Sequence, residues 1–304
     1  MRVANVNGRA VVVLSASTAL DLAGASRGRF DSAPQGVYDH WGDIEAWWSA
    51  QPDPADLPGF LAYDPADAGI PVPRPRQIFC LGANYGNHAA EAGFDPPESP
   101  VIFTKFPSCL TGPSAPVPLP SRYVDWEVEL VVVMGRTARN VAAHDGWEHV
   151  AGVTVGQDLS ERVLQRQGPL PQLSMAKSLP GFGPIGPEVV SVSELADPDD
   201  LGLGCAVNGE QMQASRTSDL IFDVPTLVGY ISSLCTMYPG DLIFTGTPEG
   251  VGATRRPPRF LQPGDVLDTW VDGVGRLHNV MVETADRVPR PSGRTDNNAV
   301  GVRK

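Results

Sequence analysis

In VDWEVELVVVMG, residues 124–135, two glutamates two positions apart enter an unbroken apolar run. The run 130–134 is rich in valine, the composition of a strand buried on at least one face. Side chains alternate along a strand, so Glu127 and Glu129 share one face. On a solvated strand face such a pair is ordinary and needs no partner. Beside a run this apolar, two carboxylates lose hydration and repel each other, and a cation relieves both costs.

A third carboxylate fits the same purpose. Asp158 ends VAGVTVGQD, 150–158, where a predicted strand runs out into a loop, the usual seat of a ligand on a rigid scaffold. Glu127, Glu129 and Asp158, with no thiol or imidazole nearby in sequence, describe an all-oxygen site for Mg²⁺ or Mn²⁺, with Ca²⁺ able to substitute. Such a site carries about one net negative charge, so an anionic substrate needs positive help, and Lys177 can supply it. In NYGNHAAEAG, 84–93, His88 and Glu91 stand three apart in a helix-compatible stretch, so a carboxylate can orient an imidazole that takes a proton from water. The alternative is a surface His–Glu pair without a role.

The rest of the chain bounds the reading. With 32 glycines and 30 prolines among 304 residues, many short strands and tight turns are expected, and few helices. Helices are predicted at about 39–50 and 223–234. Apolar runs such as QIFCLG, PVIFTK, VAGVTVGQ, DLIFTG and DVLDTWV recur between Gly and Pro punctuation, so the fold class is β-rich α+β. Residues 1–70 read as a small N-terminal domain with a hairpin-like start, 71–76 as a linker, and 71–286 as the main, catalytic domain. The segment 287–304, with Arg287, Arg290, Arg294, Arg303 and Lys304 among Pro, Gly and Asn, is expected to be a disordered basic tail. Repeats and heptads are absent.

Formal net charge is -12, which repels phosphate backbones and anionic lipid, so no nucleic acid and no membrane partner is expected. No apolar run reaches membrane length, and the N-terminal run is too short for a signal segment. Cys80, Cys109, Cys205 and Cys235 form no CxxC pair and sit among apolar or small residues, as buried thiols of a cytoplasmic protein do. Two motif matches carry nothing. GFGPIG, 181–186, satisfies GxGxxG, but Pro180, Pro184 and Pro187 forbid the helix that a dinucleotide site opens. GASRG, 24–28, satisfies GxSxG around Ser26, but the preceding TALDLA reads as helix or turn rather than the strand of a nucleophile elbow.

Taken together, QIFCLGANYGNHAAEAG, VIFTKFPSCLTGP, VDWEVELVVVMGR, VAGVTVGQDLSERVLQ, the Lys177 segment ending in FGPIGP, VNGEQMQASRTSDLIF and PGDLIFTGTPEGVG resemble, in order over about 75–283, the fumarylacetoacetate hydrolase family. The resemblance implies a mixed β-roll about the metal, Glu127, Glu129 and Asp158 as metal ligands, and a homodimer. It implies His88 and Glu91 as a water-activating dyad on a lid, Lys177 at the active site, and Gln165, Thr247 and Tyr85 at the substrate. A small 2-oxo acid is the implied substrate, and hydrolysis of the C–C bond of a 2,4-dioxo acid the implied reaction. A 2-oxo acid decarboxylase or a 2-hydroxydienoate isomerase would use the same site, and a non-catalytic ligand-binding protein is the alternative outside catalysis. Three departures bear on the substrate: QDLS stands where many members have NDVS, as in the branch acting on 2,4-dioxo-3-deoxy sugar acids. Pro180 replaces a frequent acidic residue, and Ala83 an arginine of some members. The stretch QRQGPLPQLSMA before Lys177 is also atypical.

Overall fold

The structure, a computed structural model, describes residues 1–93, 95–286 and 288. The expected tail at 287–304 therefore lies, apart from Val288, outside the described residues. Four strands come first: β1 (Arg2–Val6), β2 (Arg9–Ser15), β3 (Thr18–Asp21) and β4 (Phe60–Ala62). Then follow β5 (Ile78–Gly82), β6 (Val101–Thr104), β7 (Leu110–Thr111), β8 (Val117–Leu119) and β9 (Val124–Asp125). The long central strands are β10 (Val128–Met134), β11 (Val150–Gln157) and, after the short β12 (Ser160–Glu161), β13 (Gly183–Ser191). The last are β14 (Gly202–Val207), β15 (Glu210–Arg216), β16 (Leu242–Phe244), β17 (Val266–Val271) and β18 (Gly275–Glu283).

Helices are few and short, as the glycine and proline content implies: α1 (Leu22–Ala25), α2 (Gly36–Asp39), α3 (Trp41–Ser49), α4 (Gly86–Glu91), α5 (Arg162–Gln165), α6 (Leu173–Ala176) and α7 (Val224–Leu234). α7 begins where Asp223 accepts from the Thr226 N–H and Pro225 occupies the first turn. α3 and α7 fall on the two predicted helical stretches.

The main sheet runs β4-β3-β2-β1-β13-β11-β10-β16-β5-β6, with β7 added beside β13, and a second sheet runs β15-β14-β17-β18-β8. The β16–β5, β13–β7 and β18–β8 ladders are parallel and the others antiparallel, so the sheets are mixed and the β-rich α+β expectation holds. All seven residues of β10 are buried, because β11 and β16 flank it and apolar groups cover both faces. Val128, Leu130, Val132 and Met134 pack into one core cluster and Val131 and Val133 into another, the period of two that a strand imposes. Glu127 and Glu129 share the parity of Val131 and Val133.

That second cluster also gathers Met1, Val3, Val12, Leu22, Tyr38 and Trp41, so residues from the 1–70 segment cover the sheet face on which the glutamates lie. The join is a ladder as well as a packed face: Val3 pairs with Val189 across β1 and β13. The hairpin between β1 and β2 turns through Asn7 and Gly8, both at positive φ.

Two details differ from the sequence reading. β3 does precede the GASRG match, but α1 intervenes, and Ser26 spends its hydroxyl on the Ala23 carbonyl and the Phe30 N–H rather than standing on an elbow. Cys80, Cys109 and Cys205 are buried thiols, whereas Cys235, just past the end of α7, is exposed. The GFGPIG match falls largely within β13, so the chain continues from it as strand and no α-helix opens there. Gly183 is needed there for room, since a Cβ would stand 3.0 Å from Cys109 Sγ and 3.1 Å from Leu110.

The centre of the sheet tolerates no added atom. A Cβ on Gly152 in β11 would stand 2.1 Å from the Val190 carbonyl oxygen, so Gly152→Ala must push β11 and β13 apart. The expected loss is on the order of 3 kcal/mol in denaturant unfolding, against about 1 kcal/mol for Gly8→Ala, which meets only the positive-φ penalty. Equal midpoints for the two variants would contradict this packing.

Candidate metal centre and active site

Glu127 and Asp158 sit at the ends of neighbouring strands. Val128 pairs with Gln157 across the β10–β11 ladder, and the Asp158 N–H donates to the Glu127 carbonyl at 2.9 Å, so the ladder brings the two residues side by side. Glu129 lies one pleat further in. Carboxylate oxygens of Glu127, Glu129 and Asp158 lie within 4.8 Å of one another, and the residues are 5%, 0% and 0% exposed. Three acids this dry cannot rely on water for compensation.

Cations supply it. Lys177, just beyond α6, places Nζ 2.6 Å from Glu127 Oε2 and 2.7 Å from Asp158 Oδ2. Lys105, fully buried after β6, places Nζ 2.7 Å from Asp158 Oδ1 and donates also to the Lys177 and Phe182 carbonyls. Arg162 opens α5 and reaches Glu127 Oε1 at 2.8 Å and Asp125 Oδ2 at 2.8 Å. Burial alone would push the Glu127 carboxyl up, but the Lys177 and Arg162 charges outweigh it and hold the group well below the usual range. Glu129 goes the other way: burial, then the Asp158 and Glu127 charges, drive it well above the usual range. Burial would lower both lysines, yet their acidic partners, Asp158 first, keep them above the ordinary value.

One oxygen of the trio is left open. Glu129 Oε2 accepts from the Gly246 N–H at 2.7 Å, while Oε1 has neither solvent nor a hydrogen-bond partner. A buried acceptor left open beside two other carboxylates fits a divalent cation, for which Mg²⁺ and Mn²⁺ have the right preference for oxygen.

The other expected residues gather around this centre. Thr247 is buried and accepts from Gln213 Nε2 at 2.8 Å, and the same Gln213 side chain accepts from the Val128 N–H. Gln165 ends α5 and accepts from Arg162 Nη1 at 3.1 Å. Tyr85 precedes α4, buried, with a hydroxyl that meets no partner. On α4, His88 Nδ1 and Glu91 Oε2 are 3.8 Å apart, an ion-pair distance too long for the hydrogen bond that their spacing suggested. Glu91 Oε2 instead accepts from the Gly250 N–H at 3.0 Å, which ties α4 to the loop after β16. His88 lies close enough to Glu127 to help lower its carboxyl.

Sequence reasoning missed Lys105, Arg162, Asp125 and Gln213. A lysine ending the apolar run VIFTK was a usable signal for Lys105. Asp125 accepts from the Trp126, Gly252 and Ala253 N–H groups as well as from Arg162, so it clamps the loop after β16 to the strand that carries the glutamates. Nothing local in the sequence announces that contact, which spans more than a hundred residues.

Known proteins carry the same arrangement of segments. The family described as fumarylacetoacetate (FAA) hydrolase C-terminal matches residues 77–282. Oxaloacetate tautomerase FAHD2A, mitochondrial, of Bos taurus is 42% identical over 214 residues, 70% of this chain and 68% of that protein. A crystal structure from Mycobacterium smegmatis, described as an HpcE protein, superposes with a TM-score of 0.87 at 53% identity, covering 93% of this chain and 99% of that one. Maleylpyruvate hydrolase from Sphingobium sp. SYK-6, solved with manganese(II) and pyruvate, superposes with a TM-score of 0.75 at 29% identity over 93% and 99% of the two chains. Among the described residues no helix is long and apolar enough to cross a membrane. By its matched domain and by these relatives, the chain belongs to the fumarylacetoacetate hydrolase family.

Proposed function

We propose that this protein is a divalent-metal-dependent hydrolase that cleaves the C–C bond of a 2,4-dioxo acid, an acylpyruvate or a 2,4-dioxo-3-deoxy sugar acid. The observation that carries the reading is the convergence of the buried Glu127, Glu129 and Asp158 carboxylates, the Lys177 ammonium and the His88–Glu91 pair of α4. Glu127, Glu129 and Asp158 would hold a divalent ion, Mg²⁺ or Mn²⁺, which would supply Lewis-acid stabilisation of the enolate. Lys177 and Arg162 add fixed positive charge where the enolate develops. His88, with Glu91 3.8 Å away on the same helix, takes a proton from water as that water attacks the 4-carbonyl carbon. The new C–O bond forms, the C3–C4 bond breaks, and its electrons pass to the 2-oxo group, leaving the enolate of pyruvate and a carboxylic acid. A proton then returns to C3. Gln165, Thr247 and Tyr85 line the substrate's place in this reading, and the four free thiols support a reducing compartment such as the cytoplasm.

A second reading is favoured by the 42% identity to the bovine oxaloacetate tautomerase: proton transfer through the same enolate, with no attack by water. Product analysis by NMR over acylpyruvates, dioxo sugar acids and oxaloacetate, with EDTA as control, separates them. Pyruvate plus an acid supports hydrolysis. Accelerated interconversion of enol and keto oxaloacetate without cleavage replaces it with tautomerisation, and carbon dioxide replaces it with decarboxylation.

Glu127→Ala is expected to abolish EDTA-sensitive turnover and to weaken Mn²⁺ binding measured by calorimetry. His88→Ala should lower hydrolysis by about 10²–10⁴-fold with Mn²⁺ binding intact, and full hydrolysis in that variant would remove the imidazole from the mechanism. Free Mn²⁺ at a hundredfold excess over its Kd should stabilise the fold by about 2.7 kcal/mol, an effect that Glu127→Ala removes.

A further inference from the structure

Among the described residues, five buried polar atoms around the centre have neither solvent nor a hydrogen-bond partner: Tyr85 OH, His88 Nδ1, Glu129 Oε1, Arg162 Nη2 and Glu249 Oε2. Glu129 Oε1 is accounted for by a cation and His88 by proton transfer. Glu249 is not used by the mechanism at all.

Its place is fixed from both sides. The loop after β16 donates from Gly246 to Glu129 and from Gly250 to Glu91, so Glu249 is held on the span that connects the carboxylate trio to α4. Asn87 on α4 donates to Glu249 Oε1 at 3.3 Å, which leaves Oε2 as an open acceptor. The Tyr85 hydroxyl is an unused donor and acceptor, held protonated first by burial and then by the Glu129, Asp219 and Glu249 charges. The surroundings of the centre are therefore polarised. Lys177, Lys105 and Arg162 crowd Glu127 and Asp158. Glu249 and Tyr85 belong to the Glu129 and α4 side, where none of these cations makes an ion pair.

A 2-oxo acid entering this site turns its carboxylate and 2-oxo oxygens toward the cationic side. Its far end then meets Glu249. Glu249 itself is partly exposed, but its Oε2 has no solvent contact, so a second carboxylate there would face a poorly screened like charge, whereas a hydroxyl would donate to Glu249 Oε2 and accept from Tyr85, satisfying two open groups at once. Resting on the functional reading above, we infer that Glu249 is a specificity residue that selects 2-oxo acids with a hydroxylated, uncharged far end and rejects those ending in carboxylate.

Three inert probes test this on the Mn²⁺-loaded protein by calorimetry: oxalate, which has no far end, and the equal-length pair 5-hydroxy-2-oxopentanoate and 2-oxoglutarate. The wild type is expected to bind the hydroxy acid at least about tenfold more tightly than 2-oxoglutarate. Glu249→Gln should erase or reverse that ratio while oxalate binding stays unchanged. Glu249→Ala, which removes the side chain rather than only its charge, is read by the same ratio. A wild-type preference for 2-oxoglutarate overturns the inference. So does a ratio unaltered in whichever variant keeps oxalate binding. Absence of Mn²⁺-dependent oxalate binding in the wild type would instead overturn the functional reading itself.

Discussion

Charge compensation in a dry place governs this molecule. Glu127, Glu129 and Asp158 are placed together by the β10–β11 ladder, and almost none of their surface is open to solvent. Each must be repaid by something, and Lys177, Lys105 and Arg162 are themselves buried because they do so. Such groups stabilise the fold only as a set: removing one strands its partner as an unpaired buried charge, which costs far more than the pair contributes. With Asp125 included, four acids face three bases. A divalent cation would turn that deficit into one surplus positive charge, the polarity that an organic acid requires.

The surrounding architecture follows from holding these groups still. Lys105 and Lys177 lie against the rings of Phe244 and Phe103, on the core face that the N-terminal strands and α3 help to cover. The first seventy residues thus take part in the packing behind the site although they supply none of its chemistry. On the open side, backbone N–H groups rather than long side chains position the loop after β16: Gly246 reaches Glu129, Gly250 reaches Glu91, and Gly252 with Ala253 reaches Asp125. Main-chain donors are placed by the path of the loop itself and do not depend on a side-chain rotamer, which makes them well suited to aiming a loop at a substrate.

Much of this was legible before the structure. The Glu-x-Glu spacing in a valine-rich run identified β10 and the two carboxylates at its start, Glu127 just before it and Glu129 within it, because side-chain alternation on a strand is a local, geometric rule. Asp158 at the end of a strand followed from the same logic. α3 and α7 were visible in their patterning. What stayed hidden was long-range: Gln213 joining Val128 to Thr247, Asp125 gripping a loop more than a hundred residues away, and Arg162 turning inward although its local context resembles a surface helix. Cys235 misled in the opposite way, since its small and apolar neighbours belong to the end of α7, where the last turn faces outward. The His88–Glu91 spacing correctly implied one helical face, but spacing says nothing of the backbone N–H of Gly250 that competes for the carboxylate.

The single exposed thiol gives the molecule a chemical handle. Cys80, Cys109 and Cys205 are enclosed, and burial keeps their thiols protonated, so an alkylating dye meets the native protein at Cys235 alone. One equivalent of label therefore marks the folded state. Uptake of three more reports the opening of β5, of the turn before β7 and of β14, three separate parts of the structure read by one reagent.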